Sequence, residues 1–186
     1  MENNKTTCDF IGNLDFEYVT THSFQRGQLM ADLEANIQKE VNKKKTDFRE
    51  KNKGTRIKSS MLSSLFDNRV NKFPFLLDKN GNFHQTNETT HTFNHNTPQF
   101  QRFKTILLTP VRENLAFMCF PVYRDALVFY DKNNKIVEVL NICLSCCYMQ
   151  LKNGNYLDAD ISVYELLSTF FIDLGHKIEE DKYERD

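Results

Sequence analysis

The feature that most constrains the fold of this chain is a pair of apolar segments, joined by a short polar turn, within residues 125–143. Residues 126–130 and 136–143 are rich in the β-branched and aromatic side chains that favour strands. Between them lies the stretch Asp-Lys-Asn-Asn-Lys, and asparagine tolerates the positive φ that tight turns need. Because both faces of both segments are mostly apolar, the pattern predicts a central β-hairpin that is covered on two sides.

The register of this hairpin follows from its turn. If Asn133 and Asn134 are the two loop residues, the cross-strand partners can be counted outwards from them. The predicted pairs are Tyr130 with Val137, Val128 with Val139 and Leu127 with Leu140. Further out, Arg124 falls opposite Cys143, and regular pairing stops at Pro121 because proline has no amide hydrogen to donate.

The same count brings four of the five cysteines to the open end of the hairpin. They are Cys119, Cys143, Cys146 and Cys147. A rise of about 3.3 Å per residue along a strand places these side chains within roughly 10 Å of one another. This convergence is the most specific chemical feature of the sequence.

Three interpretations of the cysteine cluster are open. In the first, the thiolates hold a structural zinc ion, which is bound tightly when four ligands converge. Its ligands would be Cys119, Cys143, Cys146 and either His176 or Cys147. In the second, Cys143-x-x-Cys146 is a redox pair, although the sequence after it is too short for the helix that lowers the thiol pKa in thioredoxin-type pairs. In the third, which we favour, the cysteines are small buried apolar residues.

A longer motif surrounds these cysteines. It begins Cys119-Phe-Pro, continues as Ala-x-Val-Phe-Tyr-Asp-Lys-Asn-x-Lys-Ile, and ends in Ile-Cys-x-x-Cys. This part of the chain resembles small uncharacterised bacterial proteins, mostly of the Bacteroidetes, over about its last half. Cys119, Cys143 and Cys146 match recurring cysteines of that group, whereas Leu144 and Cys147 depart from its pattern. The resemblance implies a hairpin followed by a helix, and it implies no biochemical activity.

Charge and composition limit the classes of partner that this chain can be expected to bind. The net charge is −1, so no overall field favours nucleic acid. Residues 39–58 hold nine Lys or Arg against three acidic residues, but Phe48 is the one aromatic residue there, and base stacking would need several. We therefore expect a solvated helix end in this stretch and no nucleic-acid partner. An unidentified protein partner is the expectation instead.

The sequence also bears on the compartment. No apolar run approaches the roughly 18 residues of a membrane span. The first ten residues, MENNKTTCDF, lack the basic and apolar regions of a signal peptide. The cysteines cluster instead of spreading as a disulfide framework, which favours a reducing environment. We predict a cytoplasmic protein, with export as the alternative if a leader has been removed.

Helical patterns lie on both sides of the hairpin. Residues 27–45 carry an apolar stripe at helical spacing, and residues 98–108 begin with the typical start Thr-Pro. The stripe consists of Leu29, Leu33, Ile37 and Val41. A third helix is predicted over 162–174, where Ser162 and Glu165 have the spacing of a capping box. A fourth, short helix is expected over 57–66.

The remaining segments are less regular. Alternating apolar residues predict a short strand over 14–19, and Asn80-Gly81 is a strong signal for a second, smaller hairpin. We expect residues 85–96, which are almost wholly polar, to form a loop. Residues 1–12 and 177–186 are expected to be loose tails.

Together these patterns predict one α+β domain over residues 1–186. An antiparallel sheet centred on the hairpin at 125–143 would be packed by three to four helices. No catalytic motif is recognisable, so the expected function is that of a non-enzymatic binding or interaction module. The alternative is a zinc-binding or thiol-redox protein that uses the cysteine cluster. No cofactor is expected, and zinc is the one that remains possible.

Overall fold

The structure, a computed structural model, describes residues 5–53, 75–114 and 119–178. Within these ranges the chain forms seven strands and four helices, so the predicted α+β class is confirmed. The strands are β1 (Lys5–Thr6), β2 (Tyr18–Ser23), β3 (Glu88–Asn94), β4 (Asp125–Tyr130), β5 (Ile136–Cys143), β6 (Tyr148–Leu151) and β7 (Tyr156–Asp158). The helices are α1 (Thr7–Asn13), α2 (Gly27–Lys51), α3 (Pro98–Leu107) and α4 (Ile161–Asp173). The predicted helix over 57–66 lies outside the described residues.

All seven strands belong to one sheet, in the order β1-β7-β6-β5-β4-β2-β3. Neighbouring strands are antiparallel except β1 and β7, which are parallel. The sheet is therefore mixed and not wholly antiparallel as predicted, because the N-terminal strand adds to the edge beside β7. The hairpin of β4 and β5 lies inside the sheet, with β5 in the middle position.

The predicted hairpin register is confirmed over most of its length. Leu127 lies opposite Leu140 and Val128 lies opposite Val139. The prediction is wrong at the turn end, where a β-bulge pairs Tyr130 with Ile136 instead of Val137. A bulge places two residues of one strand opposite one residue of the other, which the sequence pattern does not reveal.

The turn of this hairpin explains the bulge. The carboxylate of Asp131 accepts hydrogen bonds from the backbone N–H groups of Asn133 and Lys135, at 2.8 and 2.9 Å. Asn134 has a φ of 62°, a left-handed conformation that asparagine tolerates. The connection is consequently longer than the two residues that we predicted.

One face of the sheet is covered by α1, α3 and α4. Side chains from these helices and from alternate strand positions form one large, phenylalanine-rich core. Its helical members include Phe10, Ile11, Phe100, Phe103, Leu107, Val163, Leu167, Phe170 and Phe171. Residues 5–13 are therefore an ordered strand and helix and not the loose tail that we expected. Burial of Phe10 and Ile11 against the sheet stabilises a segment whose overall composition is polar.

The other face of the sheet is covered by the segment around residues 75–83. Leu76 is fully buried beside Phe24, Val128 and Val139. The backbone N–H of Leu76 donates to the side-chain oxygen of Asn141 at 2.9 Å, which satisfies a polar group inside this core. The second hairpin is confirmed in a minimal form, as a single bridge between Leu77 and Phe83.

Three further predictions need correction. The strand expected over 14–19 forms at Tyr18–Ser23, where Val, Thr and Thr supply the β-branched side chains. The loop expected over 85–96 contains β3, because an edge strand keeps one row of polar side chains in water.

Helix α4 begins at Ile161, and its N-cap is Asp160, whose carboxylate accepts the backbone N–H of Ser162 at 3.1 Å. The capping box of Ser162 and Glu165 is therefore wrong.

Helix α2 extends the predicted 27–45 segment to Lys51, so it includes most of the basic stretch. None of its residues is buried, and Leu29 in the predicted stripe is 56% exposed. The rest of that basic stretch, residues 54–58, and residues 179–186 of the C-terminal tail lie outside the described chain. In the described ranges, no helix combines the length and the apolar character that crossing a membrane requires.

Candidate functional site

The cysteines at the open end of the hairpin divide into separate environments. Cys119 and Cys146 are joined by a disulfide, with their Cα atoms 6.5 Å apart. Cys143 is buried in the core beneath the 75–83 segment, and its Sγ lies 3.6 Å from the hydroxyl of Ser145. Cys147 is half-buried and packs against the core on the helical face. The predicted convergence thus becomes one covalent pair and two thiols on opposite faces of the sheet.

A tight turn causes this division. Residues 144–147 connect β5 to β6, and Cys143 pairs directly with Tyr148 across it. Cys147 adopts a left-handed φ of 53°, and its backbone N–H donates to the Leu144 carbonyl at 3.4 Å. This reversal turns the Cys147 side chain away from the face that holds Cys143.

The fourth predicted zinc ligand lies elsewhere. His176 stacks on Phe171 in the helical core, at a centroid distance of 4.6 Å, while Cys143 belongs to the core on the other face. Among the described residues, no group of three or more His, Cys, Asp or Glu side chains is arranged to hold a metal ion. The zinc site of Cys119, Cys143, Cys146 and His176 stays a prediction for the reduced protein.

His176 belongs instead to a buried polar network that the sequence analysis missed. Its Nδ1 lies 2.7 Å from one carboxylate oxygen of Asp125, and Nη2 of Arg26 lies 2.7 Å from the other. Gly175, with a φ of 90°, ends α4 and reverses the chain so that the His176 N–H bonds to the Phe171 carbonyl at 2.9 Å. The end of α4 and the start of β4 thereby place His176 and Asp125 in contact.

The network has strong electrostatic constraints. The side chains of Arg26, Asp125 and His176 are 10%, 2% and 0% exposed. A carboxylate so deeply buried needs the opposite charge of Arg26 and a polar contact such as that of His176, because desolvation of an isolated ion costs several kcal/mol. The second Arg26 nitrogen, Nη1, donates to the Lys177 carbonyl at 3.0 Å. In the described structure, Nε of Arg26 and Nε2 of His176 are buried without a hydrogen-bond partner.

A cavity of about 430 Å³ lies against this network. It is bounded by the residues that precede β4, by the β5–β6 turn and by the outer part of α4. Its polar lining consists of Arg26, Arg124, Asp125, Ser145, Cys147, Tyr164, Glu165 and Ser168. Its apolar lining consists of Val122, Leu144, Ile161, Ile172 and Ile178. The cavity therefore combines apolar walls with a few charged groups, which is typical of small-molecule sites.

The charges around the cavity are of two kinds. Arg26 and Asp125 neutralise each other within the protein. Arg124 and Glu165 are exposed, and within the described part of the chain neither side chain makes a hydrogen bond or an ion pair. The cavity thus presents one positive and one negative group that the fold does not use.

The thiol in the cavity is not activated. Burial raises the pKa of Cys147, and the neighbouring Cys143 and Glu165 raise it further. Because the thiolate is the nucleophilic form, Cys147 is mostly protonated and unreactive at neutral pH. Burial also raises the pKa of Tyr164. Cys147 and Tyr164 therefore line the cavity as neutral side chains.

Comparisons of this chain with protein-family models, with curated proteins and with solved structures found no match. The function is therefore inferred from the residues that line the cavity. Arg124-Asp125 at the start of an apolar strand was the available sequence signal for the site, because charged residues there need a structural or functional reason. No comparable sequence signal points to Arg26.

Proposed function

We propose that the protein is a non-enzymatic binding module that holds a small ligand in the cavity between β4, the β5–β6 turn and α4. The observation that carries this proposal is the cavity itself, which joins apolar walls to Arg124 and Glu165, two exposed charged side chains that have no partner in the described chain. A ligand with charges opposite to those of Arg124 and Glu165, and with an apolar part against the cavity walls, would use both kinds of lining.

The size and chemistry of the cavity support binding. Its volume of about 430 Å³ lies within the range of small-molecule pockets, which is roughly 300 to 1,000 Å³. The ion pair of Arg26 with Asp125 holds the polar wall in place before any ligand arrives. A preformed wall reduces the ordering cost of binding.

The same groups give little support for catalysis. Asp125 is held between Arg26 and His176, and such a carboxylate is a structural anchor. The raised pKa of Cys147 opposes a role as nucleophile. Binding without chemistry is the simpler role for this arrangement.

Cys147 provides a built-in reporter for a test. We expect at least one compound from a set of small acids, amines, amino acids and alcohols to slow alkylation of Cys147 severalfold and saturably. Mass spectrometry after iodoacetamide treatment at pH 8.5, without reductant, would measure the modification. Cys8 is the internal control, because it is also a half-buried free thiol and lies outside the cavity. Equal slowing of both thiols, or of neither by any compound, would refute the binding site.

A thiol-dependent function is the second candidate, and the disulfide between Cys119 and Cys146 is the observation that favours it. Cys119 is exposed, so the bond is open to exchange with external thiols. After reduction Cys119 and Cys146 become available as ligands of the predicted zinc site. Cys143 and His176 lie in the cores on opposite faces of the sheet, so these two side chains would have to move to join them. We expect zinc, if it binds there, to protect Cys119 and Cys146 from alkylation until a chelator is added. Unprotected thiols at saturating zinc would contradict the metal hypothesis.

The compartment and the partner remain proposals. The clustered cysteines favoured the cytoplasm, whereas the disulfide favours the exported alternative, because disulfides persist mainly in oxidising compartments. A bacterial origin rests on the resemblance of the second half of the chain. An unidentified protein partner is retained as a prediction without an assigned surface.

A further inference from the structure

We infer that the ligand of the cavity is a small zwitterion, namely a free amino acid with an apolar side chain. This inference rests on the proposed function and adds the chemical class of the ligand. It is carried by the opposite charges of Arg124 and Glu165, which face one cavity and are paired with nothing in the described chain.

The first step is to separate the charges that the fold uses from those that it leaves over. Arg26 donates to Asp125 and to the carbonyl of Lys177, and His176 contacts the other oxygen of Asp125. These contacts gather around one carboxylate, and the remaining Nε of Arg26 is buried beneath the cavity surface, out of a ligand's reach. Arg124 and Glu165 stand outside the network, so the unused charge of the cavity is one guanidinium and one carboxylate.

The second step is to match each remaining charge to a ligand group. A guanidinium is a planar donor fork that binds a carboxylate through two parallel hydrogen bonds, and Arg124 offers this fork at the start of β4. Glu165 on α4 offers acceptor oxygens to an ammonium group. A purely anionic ligand would be repelled by Glu165, and a purely cationic one by Arg124.

The third step concerns the uncharged part of the ligand. Leu144, Ile161 and Ile172 supply an apolar surface within the same cavity. An apolar side chain placed there would leave water, at about 25 cal/mol per Å² of buried surface. The hydroxyls of Ser145 and Ser168 lie in the lining as further hydrogen-bonding groups for a polar ligand head.

Three compounds that share an isobutyl group test this assignment. Leucine carries both charges, 4-methylpentanoate carries the carboxylate alone, and 3-methylbutylamine carries the amine alone. We expect calorimetry at pH 7 to show that leucine binds about tenfold or more tightly than either analogue, because each charged hydrogen-bonding group contributes severalfold or more.

Two charge-removing variants then assign each ligand group to a residue. R124Q should weaken leucine and 4-methylpentanoate about tenfold and leave 3-methylbutylamine unchanged or slightly improved. E165Q should weaken leucine and 3-methylbutylamine and leave 4-methylpentanoate unchanged or slightly improved. R49Q and E50Q on α2 are the matched controls, because they remove the same charges from exposed positions outside the cavity.

The outcomes separate the zwitterion from the cavity itself. Equal affinities for the three compounds, a preference for a singly charged one, or equal losses in R124Q and R49Q would overturn the zwitterion assignment. The binding module would survive any of these results if some compound still protected Cys147. Protection of Cys147 by no compound in the wider set would remove both proposals.

Discussion

At the scale of single residues, the site depends on Asp125. This side chain bridges Arg26 and His176 at 2.7 Å on each side, although it opens a strand that is otherwise apolar. Its position one step before Ala126 places it on the same face as Leu127 and the helical core. A carboxylate is tolerated there only because two partners from other elements meet it.

Removal of this carboxylate should therefore destabilise the fold. Asp125→Asn leaves the buried guanidinium of Arg26 without its counter-ion, and such losses cost about 3 kcal/mol or more. Urea unfolding followed by circular dichroism would measure the change. Asp173→Asn is the control, since Asp173 pairs with Arg102 at the surface with 53% exposure, and its loss should cost less than about 1 kcal/mol. Equal losses in the two variants would contradict a structural role for the buried pair.

A second residue-scale prediction concerns pH. Burial lowers the pKa of His22 to about 4. The hydrogen bond that its Nδ1 donates to the side-chain oxygen of Asn87 raises this pKa, and the nearby His176 lowers it. Between about pH 6.5 and pH 4 the unfolded chain binds a proton that folded His22 does not. The free energy of unfolding should therefore decrease as the pH falls through this window, by up to about 3 kcal/mol.

The variant His22→Gln isolates this contribution. It should flatten the dependence of the urea midpoint on pH between 6.5 and 4, because the site no longer takes up a proton on unfolding. Parallel pH dependences in the two proteins would show that His22 is not the group responsible.

At the scale of elements, turns and helix ends position the cavity. The β5–β6 turn separates Cys143 from Cys147 and carries Ser145 into the lining. The carboxylate of Asp160 accepts the Ser162 N–H at the start of α4 and also the backbone N–H groups of residues 112 and 113, at 2.8 and 3.0 Å. One side chain thus begins the helix and fixes the preceding loop against it, which sets the position of α4 over the sheet.

Elements with local apolar periodicity are predictable from the sequence, whereas elements positioned by distant contacts are not. The hairpin, α3 and the body of α4 were predicted because their apolar periodicity and their turn or cap residues lie close together in the chain. β3 was missed because it is an edge strand of mostly polar residues, which local composition does not distinguish from a loop. The cap of α4 was misplaced because Ser162–Glu165 and Asp160–Ser162 both fit local capping patterns, and contacts with residues 112–113 favour the second.

At the scale of the whole molecule, one mixed sheet separates two cores. Three helices cover one face and the 75–83 segment covers the other, so a residue's position along a strand decides which core it enters. The cavity lies where the helical layer ends, beside α4, and its walls come from distant parts of the chain. Arg26 and Asp125 are 99 residues apart, and Asp125 and His176 are 51 residues apart.

The α+β class, the central hairpin with most of its register, and the apolar faces of α3 and α4 could be read from the amino-acid sequence alone. Each of these depends on side-chain periodicity and turn chemistry within a few residues. The disulfide partner of Cys119, the network around Asp125 and the placement of Arg124 and Glu165 beside one cavity become visible in the tertiary structure alone. Such contacts depend on how the layers pack and where chain reversals occur, and local patterns carry little information about either.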